Sequence, residues 1–201
     1  MLTNPSQDSR EWVWAHLYDT VALEITGTQA PDFGRTLLTS GRVCANAHYQ
    51  MSSAMPWYDH RSSLLTCAFM QDIAVDVASM GYWFHSDTAL TAVTGWANVN
   101  GLASMRYTFN GCTGLTSLSL AGLDPSALTD FFYTFAGCSN LVTIYADATW
   151  ALAAGASGMS TFYNCGSFVG GNGTAYSGSA TSYARCVIDR AGQVGYLTEV
   201  E

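Results

Sequence analysis

Two stretches of the chain, LASMRYTFNGCTGLTSL (residues 102–118) and LTDFFYTFAGCSNLVTI (residues 128–144), are copies of one pattern. In both, apolar residues stand at offsets −7, −4, 0, +3, +6 and +9 from a central phenylalanine, and a Tyr-Thr pair directly precedes it. Two weaker copies lie on either side, so the chain contains a structural repeat. The central phenylalanines of the four copies, 25, 26 and 27 residues apart, are Phe84, Phe109, Phe135 and Phe162.

The two halves of each copy differ in their hydrophobic period. From offset −7 to 0 the apolar positions fall three and four residues apart, which predicts one face of a short helix or 3-10 turn. From offset +6 onwards apolar residues alternate, as Leu118 and Leu120 do, which predicts a strand. Periods of this length with such strands are typical of leucine-rich repeats. We therefore predict an α+β fold, a short leucine-rich-repeat-like solenoid of about four strand/short-helix rungs with N-terminal and C-terminal caps.

The segments outside the repeats predict the two caps. Alternating apolar residues between Glu11 and Thr26 predict a β-hairpin, and the segment 27–41 is rich in turn-forming residues. A glycine-rich segment after Phe168 leads into the last alternating stretch. The expected parts of this one compact domain are an N-terminal cap (1–62), the repeats (63–169) and a C-terminal cap (170–201).

The composition and net charge of the chain argue against some classes of binding partner. Charged residues make up 11% of the 201 residues and the formal net charge is −8, so the chain lacks the basic surface expected for binding nucleic acid or an anionic membrane. No apolar run approaches the roughly 18 residues of a membrane span. The N-terminus shows no basic segment followed by an apolar one, so either a leader has been removed or the chain reaches its destination without one.

Flanking segments extend the pattern beyond the repeats. PWYDHRSSLLTCAF (56–69) precedes the repeats, and GGNGTAY (170–176) follows them. Together with the repeat unit, these segments resemble the BspA-like leucine-rich-repeat surface proteins of bacteria. The chain departs from the family's pattern where Trp83 or a Thr replaces the Met before the central Phe, and where Asp87 replaces the first Cys. These departures affect packing positions only.

The resemblance implies a non-catalytic recognition or adhesion module that is exported or displayed on a surface. Such a module binds a protein or a glycan, inserts into no membrane, needs no cofactor and is extracellular or on the cell surface. A homo-oligomer or larger assembly stays open. The alternative is a structural or receptor-binding component of a phage virion or other extracellular assembly, which the lack of a leader and of an anchor favours.

Three of the six cysteines, Cys112, Cys138 and Cys165, recur at offset +3. A metal site needs ligands that converge on one point, whereas these thiols are expected one per repeat along the stack. We therefore predict reduced, buried thiols and no metal. Cys67 and Cys186 are also expected in the core, and the sequence assigns no role to Cys44.

The residues that carry the most local chemistry do not form a catalytic pattern. Residues 57–62 (WYDHRS) include a possible nucleophile and base, but adjacent residues cannot form a triad, so we predict a structural corner. His16, His48 and His85 have no partner at helical ligand spacing. The glycines at 170–173 lack the Lys-Ser/Thr of a phosphate loop and read as turn glycines. We therefore predict that the chain is not an enzyme.

The outward strand positions are the predicted ligand-binding face. They alternate with the buried strand residues and are small and uncharged, and the nearby aromatic residues suit stacking on a glycan or a hot spot for a protein. Alternatively, the two tryptophans only cover connectors. The candidate ligand-binding residues are Ser117, Ser119, Thr143, Tyr145, Trp96 and Trp150.

Overall fold

A computed structural model describes residues 11–29, 34–45, 49 and 51–200 of the chain. Within these residues the regular structure consists of short strands that form two sheets. The strands, numbered in chain order, are β1 (Trp12–Tyr18), β2 (Ala22–Thr26), β3 (Leu37–Cys44), β4 (Thr66–Phe69), β5 (Ala92–Thr94), β6 (Ser117–Ser119), β7 (Thr143–Ala146) and β8 (Leu197–Glu199).

The described residues contain no α-helix. Their helical structure is limited to 3-10 turns of three residues each. The 3-10 turns are Ser52–Ala54, Tyr58–His60, Trp96–Asn98 and Tyr183–Arg185.

The five-stranded sheet has the order β3-β1-β2-β4-β5 and joins the N-terminal segment to the first copies of the repeat. The predicted hairpin is confirmed, because β1 and β2 pair antiparallel with Ala15 opposite Ile25. β2 then pairs in parallel with β4, and β4 with β5. β3 pairs antiparallel with β1. Part of β3 lies in the segment 27–41, for which the sequence predicts a turn-rich connection instead of a strand. Only Val43 and Cys44 of β3 are buried, so its sequence lacks the alternation that identifies a strand.

The three-stranded sheet is parallel, with the order β6-β7-β8. Leu118 of β6 lies beside Ile144 of β7, which lies beside Leu197 of β8, and all three side chains are buried. β5 and β6 contact each other, but no backbone ladder joins them. The parallel strands of successive copies therefore belong to two sheets.

The predicted fold class, an α+β leucine-rich-repeat-like solenoid, is wrong. The structure is mostly sheet and turn, with a mixed five-stranded sheet and a parallel three-stranded one. In the described part of the chain no α-helix lies between the strands of successive copies, and the interruption between β5 and β6 leaves no continuous solenoid sheet. The three-and-four spacing of apolar residues, which predicted the helices, has a different origin in the backbone.

Each predicted helix is replaced by a segment of turns whose backbone is bonded to the next copy. We call the four stacked segments, which cover offsets −7 to +3, the turn ladder. The N–H groups of Tyr107 and Phe109 donate to the carbonyl oxygens of Phe132 and Thr134 in the following copy, both at 2.9 Å. The segments of the turn ladder are 77–87, 102–112, 128–138 and 155–165.

The intervening N–H groups close tight turns within their own copy. Thr108 N–H donates to Met105 O at 3.1 Å, and Cys112 N–H donates to Phe109 O at 3.0 Å. An α-helix directs every N–H to its own carbonyl ladder, so this alternation is incompatible with a helix. It requires a positive φ at offsets −2 and +2, as at Tyr107 (54°) and Gly111 (75°). The apolar residues still face inward at intervals of three and four, which explains why the sequence pattern resembled a helix.

The central phenylalanines form one buried column. Successive ring centroids from Phe84 to Phe109, Phe135 and Phe162 are 5.5, 5.7 and 5.5 Å apart, and the rings are nearly parallel. All four side chains are buried. The repeated phenylalanines therefore stack copy on copy within the core.

A threonine and a cysteine fasten each copy to the one before it. Thr134 Oγ1 donates to Met105 O at 2.9 Å, and Cys138 Sγ donates to Phe109 O at 3.0 Å. Both carbonyl oxygens also accept a backbone N–H of their own copy, so each accepts two hydrogen bonds. Cys112 and Cys165 make equivalent bonds. Cys112, Cys138 and Cys165 are buried, free thiols, as predicted. Cys67 and Cys186 lie in the core as expected, and Cys44 is also buried.

Candidate functional site

The predicted strand face is present on β6 and β7. Ser117 and Ser119 are exposed, and Tyr145 beside Ser119 is 38% exposed. Thr143 lies beside Ser117 but is half-buried, and its hydroxyl shares a hydrogen bond of 2.8 Å with the Thr198 hydroxyl. The structure thus brings these four predicted residues together on a small, uncharged face with one aromatic ring.

The two predicted tryptophans do not belong to that face. The Trp96 side chain is 2% exposed, and its ring packs 5.3 Å from the Phe69 ring. Trp150 is also buried, and its Nε1–H donates to the carbonyl oxygen of Cys186 at 3.0 Å. Including them in the binding site was therefore wrong. Their large apolar surfaces fold inward from the connectors because burial in the core is strongly favourable.

A second surface lies on the turn ladder and carries a row of stacked rings. Tyr82, Tyr107 and Tyr133 stand at offset −2 of consecutive copies, and we call them the tyrosine ladder. The ring centroids of Tyr82 and Tyr107 are 4.7 Å apart, and those of Tyr107 and Tyr133 are 5.1 Å apart. The interplanar angles of 18° and 7° show parallel stacking. All three side chains are half-buried, so the row forms part of the molecular surface.

An aromatic ring and an ion pair border the tyrosine ladder. The half-buried Phe132 ring lies 5.7 Å from the Tyr107 ring and 4.7 Å from the Tyr133 ring. The Arg106 guanidinium stands over the Phe132 ring at 4.3 Å, and its Nε donates to Asp130 Oδ2 at 2.9 Å. The ion pair neutralises Arg106. This combination of half-exposed rings and a stacked guanidinium has the composition of binding hot spots.

The backbone at offset −2 does not require an aromatic residue. The tyrosines of the ladder have φ values of 54° to 63°, a conformation that costs an L-residue roughly 1–2 kcal/mol. The last copy carries Ser160 at the same offset with φ 55°. Since serine adopts the same turn, the rings of the other copies add something that the turn itself does not need.

The phenol of Tyr107 is a neutral hydrogen-bonding group. Burial raises the pKa of Tyr107 above its ordinary value, and the flanking Tyr82 and Tyr133 add to this effect against the opposing charge of Arg106. Tyr107 is therefore protonated at physiological pH. A neutral phenol can both donate and accept a hydrogen bond from a ligand.

His85 and His16 each have one hydrogen-bonding neighbour. Burial lowers the pKa of His85, whose Nδ1 lies 3.1 Å from the Ser86 hydroxyl. His16 is buried in β1, with Nε2 3.2 Å from Thr28 O, and His48 lies outside the described residues. Across the described part of the chain, no three His, Cys, Asp or Glu side chains are grouped as a metal site would require.

The segment 57–62 forms the predicted corner. Trp57 is buried, and its Nε1–H donates to Trp83 O of the first copy at 3.0 Å. Tyr58–His60 is a 3-10 turn, and the Arg61 guanidinium lies over the Tyr58 ring at 3.9 Å. These contacts hold the corner against the first copy.

The glycine-rich segment folds around a buried carboxylate. Asp189 accepts hydrogen bonds from the backbone N–H groups of Asn172 (2.9 Å), Thr174 (3.0 Å) and Gly195 (3.3 Å), and from the Thr174 hydroxyl (2.7 Å). Burial opposes ionisation, but these hydrogen bonds hold the pKa of Asp189 below its ordinary value. The glycines therefore serve the turn of the C-terminal cap, as predicted.

A groove of about 600 Å³ separates the connectors that follow β6 and β7. Asp124 and Asp147 line it, but each carboxylate already accepts a backbone N–H, from Ser126 at 2.9 Å and from Gly122 at 2.7 Å. These carboxylates stabilise the connectors, so we do not assign the groove to a ligand.

Comparison of the chain with protein-family models, with curated proteins and with solved structures found no match. Among the described residues, no helix has the length and apolar character needed to cross a bilayer. The candidate site is therefore identified only from the geometry and chemistry of the chain's own residues.

The tyrosine at offset −2 recurs in the sequence, but it is not among the predicted site residues. The signal was available, because an aromatic residue at the same offset in three copies forms a row once the copies stack. We read that offset as part of a helix, where its side chain would have been one of several surface positions. A tyrosine in the sequence does not indicate the positive φ that aligns the rings.

Proposed function

We propose that the chain is a non-catalytic recognition or adhesion module that contacts a protein or glycan through the tyrosine ladder and Phe132. The observation that carries the proposal is the row of stacked rings on the surface of the turn ladder, where Ser160 demonstrates that the turn needs no ring. Tyrosine supplies a large contact area with little loss of side-chain freedom, and its hydroxyl adds hydrogen bonding.

The tyrosine ladder is a better candidate than the strand face. The strand face offers small hydroxyl side chains and one partly exposed ring, Tyr145, which provide little area for binding. Hot spots of interfaces are enriched in Tyr, Trp and Arg, and Ser and Thr are under-represented among them. The ladder has the favoured composition in Tyr107, Tyr133 and Arg106.

The resemblance to BspA-like surface proteins is a second support and favours an extracellular or cell-surface location. The alternative, a structural or receptor-binding component of a virion or other extracellular assembly, uses the same surface and differs in the particle that displays it. We give this alternative second place because no contact in the described part of the chain favours it.

The test compares the two surfaces in one binding assay. The fluorescently labelled chain is applied to arrays of glycans and extracellular proteins, and its affinity for the best-bound ligand is then measured. The ladder variant combines Tyr107→Ser and Tyr133→Ser, a change for which Ser160 provides the backbone precedent. The control variant combines Ser117→Arg and Ser119→Arg on the strand face. Circular dichroism and thermal melting establish that both variants fold.

We expect the ladder variant to bind at least about tenfold more weakly, because each lost 1.4 kcal/mol of binding energy corresponds to a factor of ten. The strand-face variant should bind like the wild type. Unchanged binding by the ladder variant, with loss in the strand-face variant, contradicts the proposal and returns the site to Ser117, Ser119, Thr143 and Tyr145.

A further inference from the structure

The tyrosine ladder ends one copy before the stack does. At offset −2 the first three copies carry Tyr82, Tyr107 and Tyr133, and the fourth carries Ser160. The stack itself continues, because Phe162 N–H donates at 2.9 Å to Thr181 O of the C-terminal segment. At the position where a fourth ring would extend the ladder beyond Tyr133, the chain therefore carries Ser160 instead of an aromatic residue.

The free face of Tyr133 is the side that looks toward this place. Tyr107 stacks on the opposite face at 5.1 Å. Phe132 does not cover the free face, because a ring beyond Tyr133 could not also lie 5.7 Å from the Tyr107 ring. Among the described residues, no ring of the fourth copy contacts Tyr133. We call this place, bounded by Tyr133 and Ser160, the ring slot.

Exposed side chains stand beside Ser160 in the fourth copy. Met159, the preceding residue, is 61% exposed, and Tyr163, at offset +1, is 59% exposed. They are among the most exposed large apolar side chains of the described chain. Ser160, Tyr163 and the exposed Asn164 also offer hydroxyl and amide groups for hydrogen bonds.

The charge of the segment beside the slot indicates which kind of ligand could enter it. No charged residue occurs between positions 148 and 184, although the whole chain carries 15 acidic and 7 basic residues. Arg106, which borders the tyrosine ladder, is paired with Asp130. The segment that carries Ser160, Tyr163 and Asn164 therefore offers a charged partner no counter-charge of its own. Protein interfaces generally combine aromatic anchors with a polar rim in which charged residues contribute to specificity.

We propose that the ring slot binds one pyranose ring of a neutral glycan, a proposal that rests on the proposed function of the tyrosine ladder. The C–H face of a sugar ring packs on the electron-rich face of Tyr133 and continues the ladder at its spacing of about 5 Å. The sugar hydroxyls meet the hydroxyl and amide groups of Ser160, Tyr163 and Asn164. An uncharged, hydroxyl-rich ligand is the chemical complement of this uncharged, hydroxyl-rich segment.

The decisive variant fills the slot with the protein's own ring. Ser160→Tyr places tyrosine at a φ of 55°, within one degree of the 54° of Tyr107 and Tyr133, so the fourth ring completes the ladder in a backbone conformation that tyrosine already adopts. The matched control is Ser160→Ala, which leaves the slot open. We expect both variants to fold, as thermal melting and circular dichroism will establish.

Binding is measured by saturation-transfer NMR with two kinds of probe. The first is a panel of neutral methyl hexopyranosides, and the second is N-acetyltyrosinamide, which represents the aromatic side chain of a protein partner. We expect saturation of at least one hexopyranoside by the wild type and by Ser160→Ala, and its loss by about tenfold or more in Ser160→Tyr. No hexopyranoside signal, a signal that persists in Ser160→Tyr, or binding of N-acetyltyrosinamide alone overturns the proposal.

The same variants separate this proposal from the proposed function. If Ser160→Tyr retains attachment to the array ligand while the Tyr107→Ser, Tyr133→Ser variant loses it, the ladder is the recognition surface and the ring slot is not part of it. If neither variant loses attachment, the proposed function fails as well.

Discussion

Asp87 is the residue at which the first copy departs most from the others. It stands at offset +3, where Cys112 and Cys138 donate their thiol hydrogens to carbonyl oxygens. The carboxyl group is 2% exposed, and its Oδ2 atom has no hydrogen-bond partner. Burial raises the pKa of Asp87 to about 8, although the charge of Arg61 opposes the rise. The folded chain therefore holds Asp87 protonated at neutral pH.

This shift predicts a stability that falls as the pH rises. In the unfolded chain Asp87 ionises near pH 4. Its contribution to the free energy of unfolding is therefore fully present below about pH 4 and is lost as the pH rises toward 8. The loss is at most about 1.4 kcal/mol per pH unit. Asp87→Asn keeps the shape but cannot ionise, so we expect it to exceed the wild type in stability by more at high pH. Urea denaturation of both proteins at about pH 5 and about pH 8 measures this. An equal difference at the two pH values contradicts the shift.

At the scale of the element, the turn ladder depends on the phenylalanine column. Phe109 packs on Phe84 and Phe135, so its removal weakens contacts with two neighbouring copies. We expect Phe109→Ala to lower the free energy of unfolding by about 3–5 kcal/mol, since a large buried side chain leaves a cavity. Chemical denaturation measures the loss, with Phe109→Leu as a milder control. A loss below about 0.5 kcal/mol would show that the core register is wrong.

At the scale of the whole molecule, the two ends respond to acid in opposite directions. Asp87 in the first copy is stabilising when protonated, whereas Asp189 in the C-terminal cap is stabilising when ionised. Because the folded-state pKa of Asp189 is depressed, its contribution is present above its unfolded pKa and is lost as the pH falls through the folded value. Acid therefore favours the first copy and weakens the cap.

Asp189→Asn tests the cap. The amide replaces one acceptor oxygen by a donor and loses the charge that receives hydrogen bonds from Thr174, Asn172 and Gly195, so we expect a loss of about 2 kcal/mol or more near pH 7. The difference from the wild type should shrink at about pH 3, which lies below the unfolded pKa of an aspartate, because the wild type then begins to lose the stability that the ionised carboxylate contributes. Thermal melts at both pH values measure it, and a difference that does not change with pH contradicts the assignment.

The repeated offsets predicted which residues are buried far better than which backbone buries them. Phe109, Cys112 and Leu118 lie in the core as expected, because burial follows from the repeated apolar positions themselves. The helix prediction failed because inward-facing residues at intervals of three and four also arise from turns bonded to a neighbouring copy. The glycine at position 111 hinted at a positive φ, but Tyr107 adopts one without any such hint.

The site was only partly predictable for a related reason. The exposed positions Ser117 and Ser119 follow from strand alternation, which is a local property. The inward folding of Trp96 and Trp150 depends on distant partners such as Phe69 and Cys186, and no local pattern encodes it. The tyrosine ladder forms only after the copies stack at a spacing that the chain reveals in three dimensions.

The alternating hydrogen bonds of the turn ladder give the molecule a direction. From offset −4 to +2 the bonds between copies run from an N–H group of one copy to a carbonyl oxygen of the next, so over these offsets the first copy presents carbonyl oxygens and the last copy presents N–H groups. Different groups bind the two ends of the stack. At the first copy, the Trp57 indole N–H donates to Trp83 O. At the last copy, Phe162 N–H donates to Thr181 O, and Asn164 N–H donates to the Tyr176 hydroxyl. The caps are therefore not interchangeable. A chain stripped of both could join only head to tail, a heterologous contact that produces an open filament rather than a closed symmetric dimer.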